Sequence, residues 1–187
     1  GLTSGSRDDL SVGRHTITTR WMGEDIETLA DLFPVPARIV CVGINPAPTS
    51  VAAGHYYQGR QGQRFFARLA QAGVLRFAGE GFEDDAAVAA GIGFTDVVKR
   101  PTGRADEVTE AERRHGRQVL EDKLAALGGP ALVFPFKQAA VALVGKFEGN
   151  GWLDRTFAGC RLFVMPGPYE RRDSADLTIA TLAAGLA

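Results

Sequence analysis

The run Arg38-Ile39-Val40-Cys41-Val42 is apolar and β-branched, and Gly43-Ile44-Asn45-Pro46-Ala47-Pro48-Thr49-Ser50 follows it directly. A short continuous apolar run of this kind reads as a buried parallel strand. In an α/β sheet, ligands bind beyond the carboxyl ends of such strands. The carboxamide of Asn45 therefore emerges where a ligand would sit, and Pro46 and Pro48 stiffen the turn behind it. Aromatics arrive soon after, at Tyr56 and Tyr57. Asparagine has no acid–base capacity at neutral pH, but its amide can hold a water through both donor and acceptor. The combination fits a site that orients a water and stacks a flat ring.

The rest of the chain alternates strand-like and helix-like segments, which predicts an α/β domain with a mostly parallel sheet. Residues 25–32 read as a short helix stopped by Pro34 and Pro36. Phe65, Leu69 and Ala72 recur at helical spacing until Gly73. Asp84-Asp85 is placed to cap a short helix through Ala90, ahead of Ile92-Gly93-Phe94-Thr95-Asp96-Val97-Val98. Thr109 with Glu112 forms a capping-box pattern that opens a long helix to about Leu127. Residues 131–134 and 161–165 read as further strands, and residues 138–147 as a helix between them. Asp173 or Ser174 is expected to cap a final Ala/Leu helix. The length of 187 residues suits one domain, expected over residues 13–187 behind a flexible tail at residues 1–12.

Two cysteines, Cys41 and Cys160, sit in strand-like settings and read as buried free thiols of a reducing, cytoplasmic protein. The three histidines and two cysteines show no metal-ligand spacing, so no metal and no cofactor are expected. No run approaches the ~18 apolar residues of a membrane span. A net charge of -1 argues against broad attraction to nucleic acid, yet basic residues cluster locally. Arg113, Arg114 and Arg117 read as a solvated helix face. Lys99, Arg100 and Arg104, and likewise Arg171 and Arg172, lie beside Pro-Gly turns where a phosphate could be held.

At the level of motifs the chain resembles the mismatch-specific uracil/thymine DNA glycosylases of the uracil-DNA glycosylase superfamily. Gly43-Ile44-Asn45-Pro46 matches the first catalytic motif. Gly54-His55-Tyr56-Tyr57 and Gln63-Arg64-Phe65-Phe66 resemble the segment that stacks the base and packs beneath its pocket. The stretch Gly93 to Thr102, then Gly116-Arg117, Lys137-Gln138 and Val164-Met165-Pro166, follow in family order. The resemblance implies a three-layer α/β/α sandwich that acts as a monomer on DNA carrying a damaged or mismatched base.

Carried over residue by residue, Asn45 corresponds to the water-positioning asparagine. Gly43, Ile44 and Ala47 correspond to the pocket turn, with the Ala47 amide facing the base, and Tyr57 to the stacking ring. His55 and Tyr56 read as pocket wall, with nothing in the sequence placing a carboxylate beside His55. Gly167 corresponds to a base- or phosphate-holding position that often carries a polar side chain. Arg171 aligns with the wedge that fills the gap left by a flipped base, with Tyr169 as rival wedge and Arg172 beside it. Glu170 departs from the family pattern and needs a cationic neighbour, for which Arg171 and Arg172 are at hand.

The implied reaction is hydrolysis of the N-glycosidic bond of an extruded base, with its departing charge met by backbone amides. No lysine or carboxylate aligns in either motif, so neither lyase chemistry nor strong general-base catalysis is implied. Three other readings stay open: a glycosylase for hypoxanthine, etheno or oxidised bases; a lesion-binding module without excision; and a hydrolase of free nucleosides.

Overall fold

The computed structural model describes residues 13–77, 79 and 81–187, so the tail expected at residues 1–12 lies outside the described residues. The chain enters through a hairpin of β1 (Thr16–Trp21) and β2 (Glu24–Leu29), paired antiparallel from Thr16 against Leu29 to Trp21 against Glu24. Met22 and Gly23 turn it with φ of 48° and 89°, the left-handed pair whose twist suits a two-residue hairpin. This corrects the helix expected over residues 25–32. Thr16-Ile17-Thr18-Thr19 is dense in β-branched residues, and its cross-strand pairing overrides the local helical reading.

Four strands run parallel: β3 (Ile39–Gly43), β4 (Ile92–Asp96), β5 (Ala131–Phe134) and, beyond β6 (Gly151–Phe157), β7 (Cys160–Val164). Among the described residues they form one sheet in the order β4-β3-β5-β7-β6, with β6 antiparallel at the edge. Every residue of β3, β4 and β5 is buried, as strands covered on both faces must be. β6 was not foreseen; its Asp154-Arg155-Thr156 stretch is exposed and carries none of the apolar continuity that marked the others.

The helices divide by face. α1 (Pro48–Ala53), α2 (Arg60–Gln71), α3 (Glu83–Ala89) and a later helix over residues 172–186 bury Val51, Phe65, Leu69, Val88, Ile179 and Leu182 against Ile39, Cys41, Phe94, Val133 and Phe163. α4 (Glu110–Ala125) and α5 (Lys137–Val144) bury Leu120, Leu124, Ala140 and Leu143 against Val40, Val42, Leu132, Phe134 and Leu162, with Trp21 of the hairpin joining them. Alternate residues of the same strands thus feed two cores, as a period of two requires. Each such side chain contributes about 1.5–3 kcal/mol by leaving water. The result is a three-layer α/β/α sandwich around a mostly parallel mixed sheet.

Helix ends follow local chemistry. The Thr109 hydroxyl accepts from the Glu112 amide at 3.1 Å, and Glu112 accepts in return from the Thr109 amide at 3.2 Å, the capping box read from the sequence. The last helix, α6 (Arg172–Leu186), starts instead on Arg171 with no side-chain cap. Asp173 therefore lies inside its first turn, where the helix dipole favours an anion. α3 likewise begins after Phe82, with Asp84 and Asp85 in its first turn. At Gly116 a Cβ would meet the Val97 carbonyl at 1.8 Å, so only glycine lets α4 lie this close to the end of β4.

Candidate active site

β3 runs out into helices on one face of the sheet, and its neighbour β5 into α5 on the other. Loops leaving adjacent parallel strands toward opposite faces open a crevice at the carboxyl edge. A cavity of about 420 Å³ lies there, lined by Gly43, Ile44, Asn45, Ala47, Tyr57 and Asp96, with Phe136 from the end of β5. Five of these residues come from the sequence-predicted set. Asp96 and Phe136 do not.

The loop that carries Asn45 is tied down by its neighbour. The carbonyls of Gly43, Ile44 and Pro46 accept from the amides of Val97, Val98 and Thr102 at 2.9, 2.8 and 3.3 Å. The Asn45 side chain is held the same way, its Nδ2 donating to the Arg100 carbonyl at 2.9 Å and to the Thr102 hydroxyl at 2.8 Å. Both amide hydrogens are thereby committed, and Oδ1 is the end left to accept from a ligand. Ala47 follows as the N-cap of α1, a position where helix amides lack intrahelical partners and can face an anion.

Gly43 marks the tightest point of the pocket. A Cβ there would lie 2.4 Å from Asp96 Oδ1 and 3.5 Å from the Tyr57 ring. Register explains the first contact, because Gly43 and Asp96 are direct partners across the parallel β3–β4 ladder. Tyr57 holds a left-handed backbone at φ 59°, a conformation that costs a bulky residue about 1–3 kcal/mol. Its ring packs among Tyr56, Phe65, Phe66 and Phe94 at centroid distances of 5.6–5.8 Å. The Tyr57 hydroxyl and Asp96 Oδ2 are both enclosed and without a hydrogen-bond partner among the described residues. Unpaired buried polar atoms are costly, and here both border the cavity. Burial pushes the Asp96 carboxyl up to about 7, opposed by Lys99 and reinforced by Asp31. Sequence reasoning missed this acid because it sits inside an apolar strand pattern; only the β3–β4 register brings it beside Gly43.

The second loop, after β7, borders a smaller groove of about 260 Å³ lined by Pro166, Pro168 and Tyr169 together with Arg60, Arg64 and Arg68 of α2. Arg60, Gln61 and Phe136 line both groove and cavity, so the two are adjacent. Tyr169 is 99% exposed. Arg171 pairs with Asp173 at 3.2 Å on the surface, and Arg172 opens α6. Gly167 is exposed and lines neither space, and a Cβ on it would meet nothing within 4 Å. The structure therefore does not bring Gly167 to the base pocket. Among the described residues Glu170 pairs with no arginine; it accepts from Asn150 at 2.9 Å and from Ser174 at 3.0 Å.

The basic residues expected beside Pro-Gly turns are otherwise engaged. Lys99 binds Asp31, Arg104 binds Asp106 at 2.6 Å, and Arg100 binds both oxygens of Glu112 at 2.7 and 3.0 Å. That fork, with Thr109 and Trp21 adding donors, holds the Glu112 carboxyl down to about 2. The cationic face of the site is instead Arg60, Arg64 and Arg68, spaced four apart along one side of α2. That spacing is present in the sequence itself.

His55 also differs from expectation. Its Nδ1 lies 2.8 Å from Asp84 Oδ1, and His15 Nε2 lies 2.8 Å from Asp85 Oδ1. The pairs join segments 29 and 70 residues apart in sequence, so spacing could not reveal them. The sequence shows no metal-ligand spacing, yet among the described residues two imidazoles and two carboxylates converge at one corner.

At its switch point the mostly parallel sheet thus carries a cavity with a pinned carboxamide, beside a groove lined by three arginines. Residues 30–176 match the uracil DNA glycosylase superfamily, and the chain belongs to it. Membership carries glycosylase-type hydrolase chemistry and DNA as the partner.

Proposed function

We propose that this protein is a monofunctional DNA glycosylase of the mismatch-specific uracil/thymine type, acting as a cytoplasmic monomer. It hydrolyses the N-glycosidic bond of a uracil-like base turned out of the DNA stack into the 420 Å³ cavity. The observation that carries the reading is Asn45. With both amide hydrogens held by Arg100 and Thr102, its oxygen is fixed to accept from one water beside the sugar. Pre-orientation of this kind lowers the barrier without acid–base chemistry from the amide.

The remaining roles follow from position. Tyr57 presents its ring to the base, and the Ala47 amide faces the base oxygens. Asp96, protonated below about pH 7, donates to the departing base and spreads the charge it acquires. No lysine lines the cavity among the described residues, which supports hydrolysis by water over a Schiff-base route. Arg60, Arg64 and Arg68 contact phosphates, and Arg171 or Tyr169 enters the gap that the base leaves.

Labelled duplexes carrying uracil, thymine, hypoxanthine or ethenocytosine opposite guanine and adenine, cleaved by alkali after incubation, test the reading. Alkali-labile sites should form first at uracil opposite guanine. Retention of a mismatched duplex without abasic product would replace the enzyme with a lesion-binding module. Base release from free deoxynucleosides would make it a nucleoside hydrolase.

A further inference from the structure

The corner formed by His15, His55, Asp84 and Asp85 lies outside the base pocket and is not used by the reaction above. His15 leads into β1, His55 follows α1, and both aspartates stand in the first turn of α3. Their ligand-capable atoms all lie within 4.8 Å of one another. Each imidazole nitrogen faces both carboxylates: His15 Nε2 is 2.8 Å from Asp85 and 4.0 Å from Asp84, and His55 Nδ1 is 2.8 Å from Asp84 and 3.9 Å from Asp85. We propose that these four residues bind one divalent transition-metal ion, zinc(II) by ligand type and number, as a structural site.

The geometry suits such an ion. Zinc bonds of ~2.0–2.2 Å to nitrogen and oxygen place tetrahedral ligand atoms roughly 3.3–3.5 Å apart, within the 2.8–4.0 Å spread seen between imidazole and carboxylate. The surroundings already orient the ligands. Asp84 is fully buried, its Oδ2 accepting from the Tyr56 amide and its Oδ1 from the Asp85 amide, both at 2.8 Å. The Phe82 ring lies flat on the His55 imidazole, 3.5 Å between centroids and 7° from parallel. Outer partners of this kind set ligand direction in metal sites. Charge points the same way: the fully buried Asp84 carboxylate lies beside that of Asp85, whose side chain is only 15% exposed. A dication compensates both at once. Four protein ligands leave no open position, so the ion would brace structure, tying the chain entry and α3 to the segment that leads into Tyr57.

Protein of residues 1–187 stripped with EDTA, shown to be folded by circular dichroism, is titrated with zinc chloride and separately with cobalt(II) chloride. One equivalent of each should bind saturably, zinc should raise Tm, and cobalt should give the intense visible bands of a four-coordinate ion. Asp85→Ala and His15→Gln should each weaken zinc binding by more than roughly 100-fold, beyond the ~10–100-fold losses that partners outside the ligand set cause. Asp85 reaches solvent with 15% of its side chain exposed, so its variant carries the comparison where His15→Gln does not fold. Folded wild type that takes up no stoichiometric metal, or unchanged affinity in Asp85→Ala, overturns the site and leaves two histidine–aspartate pairs. The titration needs no DNA, so its failure is distinct from failure of the glycosylase reading.

Discussion

Two of the loops that leave carboxyl ends of the parallel strands, those after β3 and β7, are built in opposite ways. The loop after β3 gives up three carbonyls and a side-chain amide to the segment after β4. It encloses Gly43 between an aspartate and a tyrosine ring. The loop after β7 exposes Tyr169, Arg171 and Gly167 and is tied to the body by the Arg68 bond to the Pro166 carbonyl at 2.8 Å and the Asn150 bond to Glu170 at 2.9 Å. The first loop is fixed by its bonds, as the proposed positioning of a water requires. The second presents groups with few internal commitments, which suits contact with a duplex whose shape changes when a base leaves it.

The contrast breaks most sharply at Gly43. Gly43→Ala forces a methyl to within 2.4 Å of Asp96, so excision should fall to background and stability by about 1–3 kcal/mol, the usual cost of overpacking. Single-turnover rates and chemical denaturation measure both. A tolerated alanine would mean the pocket is looser than the preformed loop requires.

Asp96 sharpens the comparison through pH. Its carboxyl titrates near 3.8 when unfolded and about 7 when folded, so between these values the unfolded chain gives up its proton first. Stability on this account is lost as pH rises from about 4 to about 7, and the penalty is complete above that. Asp96→Asn should thus be more stable than wild type by about 1–3 kcal/mol near pH 8, with the difference closing toward pH 4. The wild-type excision rate should fall above pH 7, and the variant, which keeps a donor at all pH values, should give a flat profile. A rate that climbs through pH 7 would make the ionised carboxylate the useful form.

The second loop should respond weakly and selectively. Arg171 pairs with Asp173 while both are more than 70% exposed, a kind of pair that adds little to stability. Arg171→Ala should leave Tm unchanged and slow excision from duplex several-fold more than from single strands, where no gap needs filling. A uniform loss would indicate a phosphate contact instead. Gly167→Ala, with open space around it, should change neither rate nor stability; a large defect would return that residue to the base site.

What could be read from sequence followed the same division. β3 and its loop announced themselves, because a buried strand is a continuous apolar run and Asn45 directly follows it. The segment over residues 25–32 reads as a helix although Met22-Gly23 marks a hairpin turn, since pairing of Thr16–Trp21 with Glu24–Leu29 decides it and local periodicity does not. Asp96 was hidden in a strand whose neighbours are apolar, and its meaning comes from the β3–β4 register. The His15 to Asp85 contact spans 70 residues, beyond any spacing rule. Local chemistry was legible; what depends on distant elements meeting was not.

Asn45 decides the central claim. Single-turnover excision of uracil from a duplex, paired with a binding measurement on the same duplex, is compared between wild type and Asn45→Ala. Loss of the fixed water should slow the reaction by roughly 10²–10³, a few kcal/mol of transition-state stabilisation, while duplex affinity and Tm hold. Excision by Asn45→Ala at the wild-type rate would contradict it.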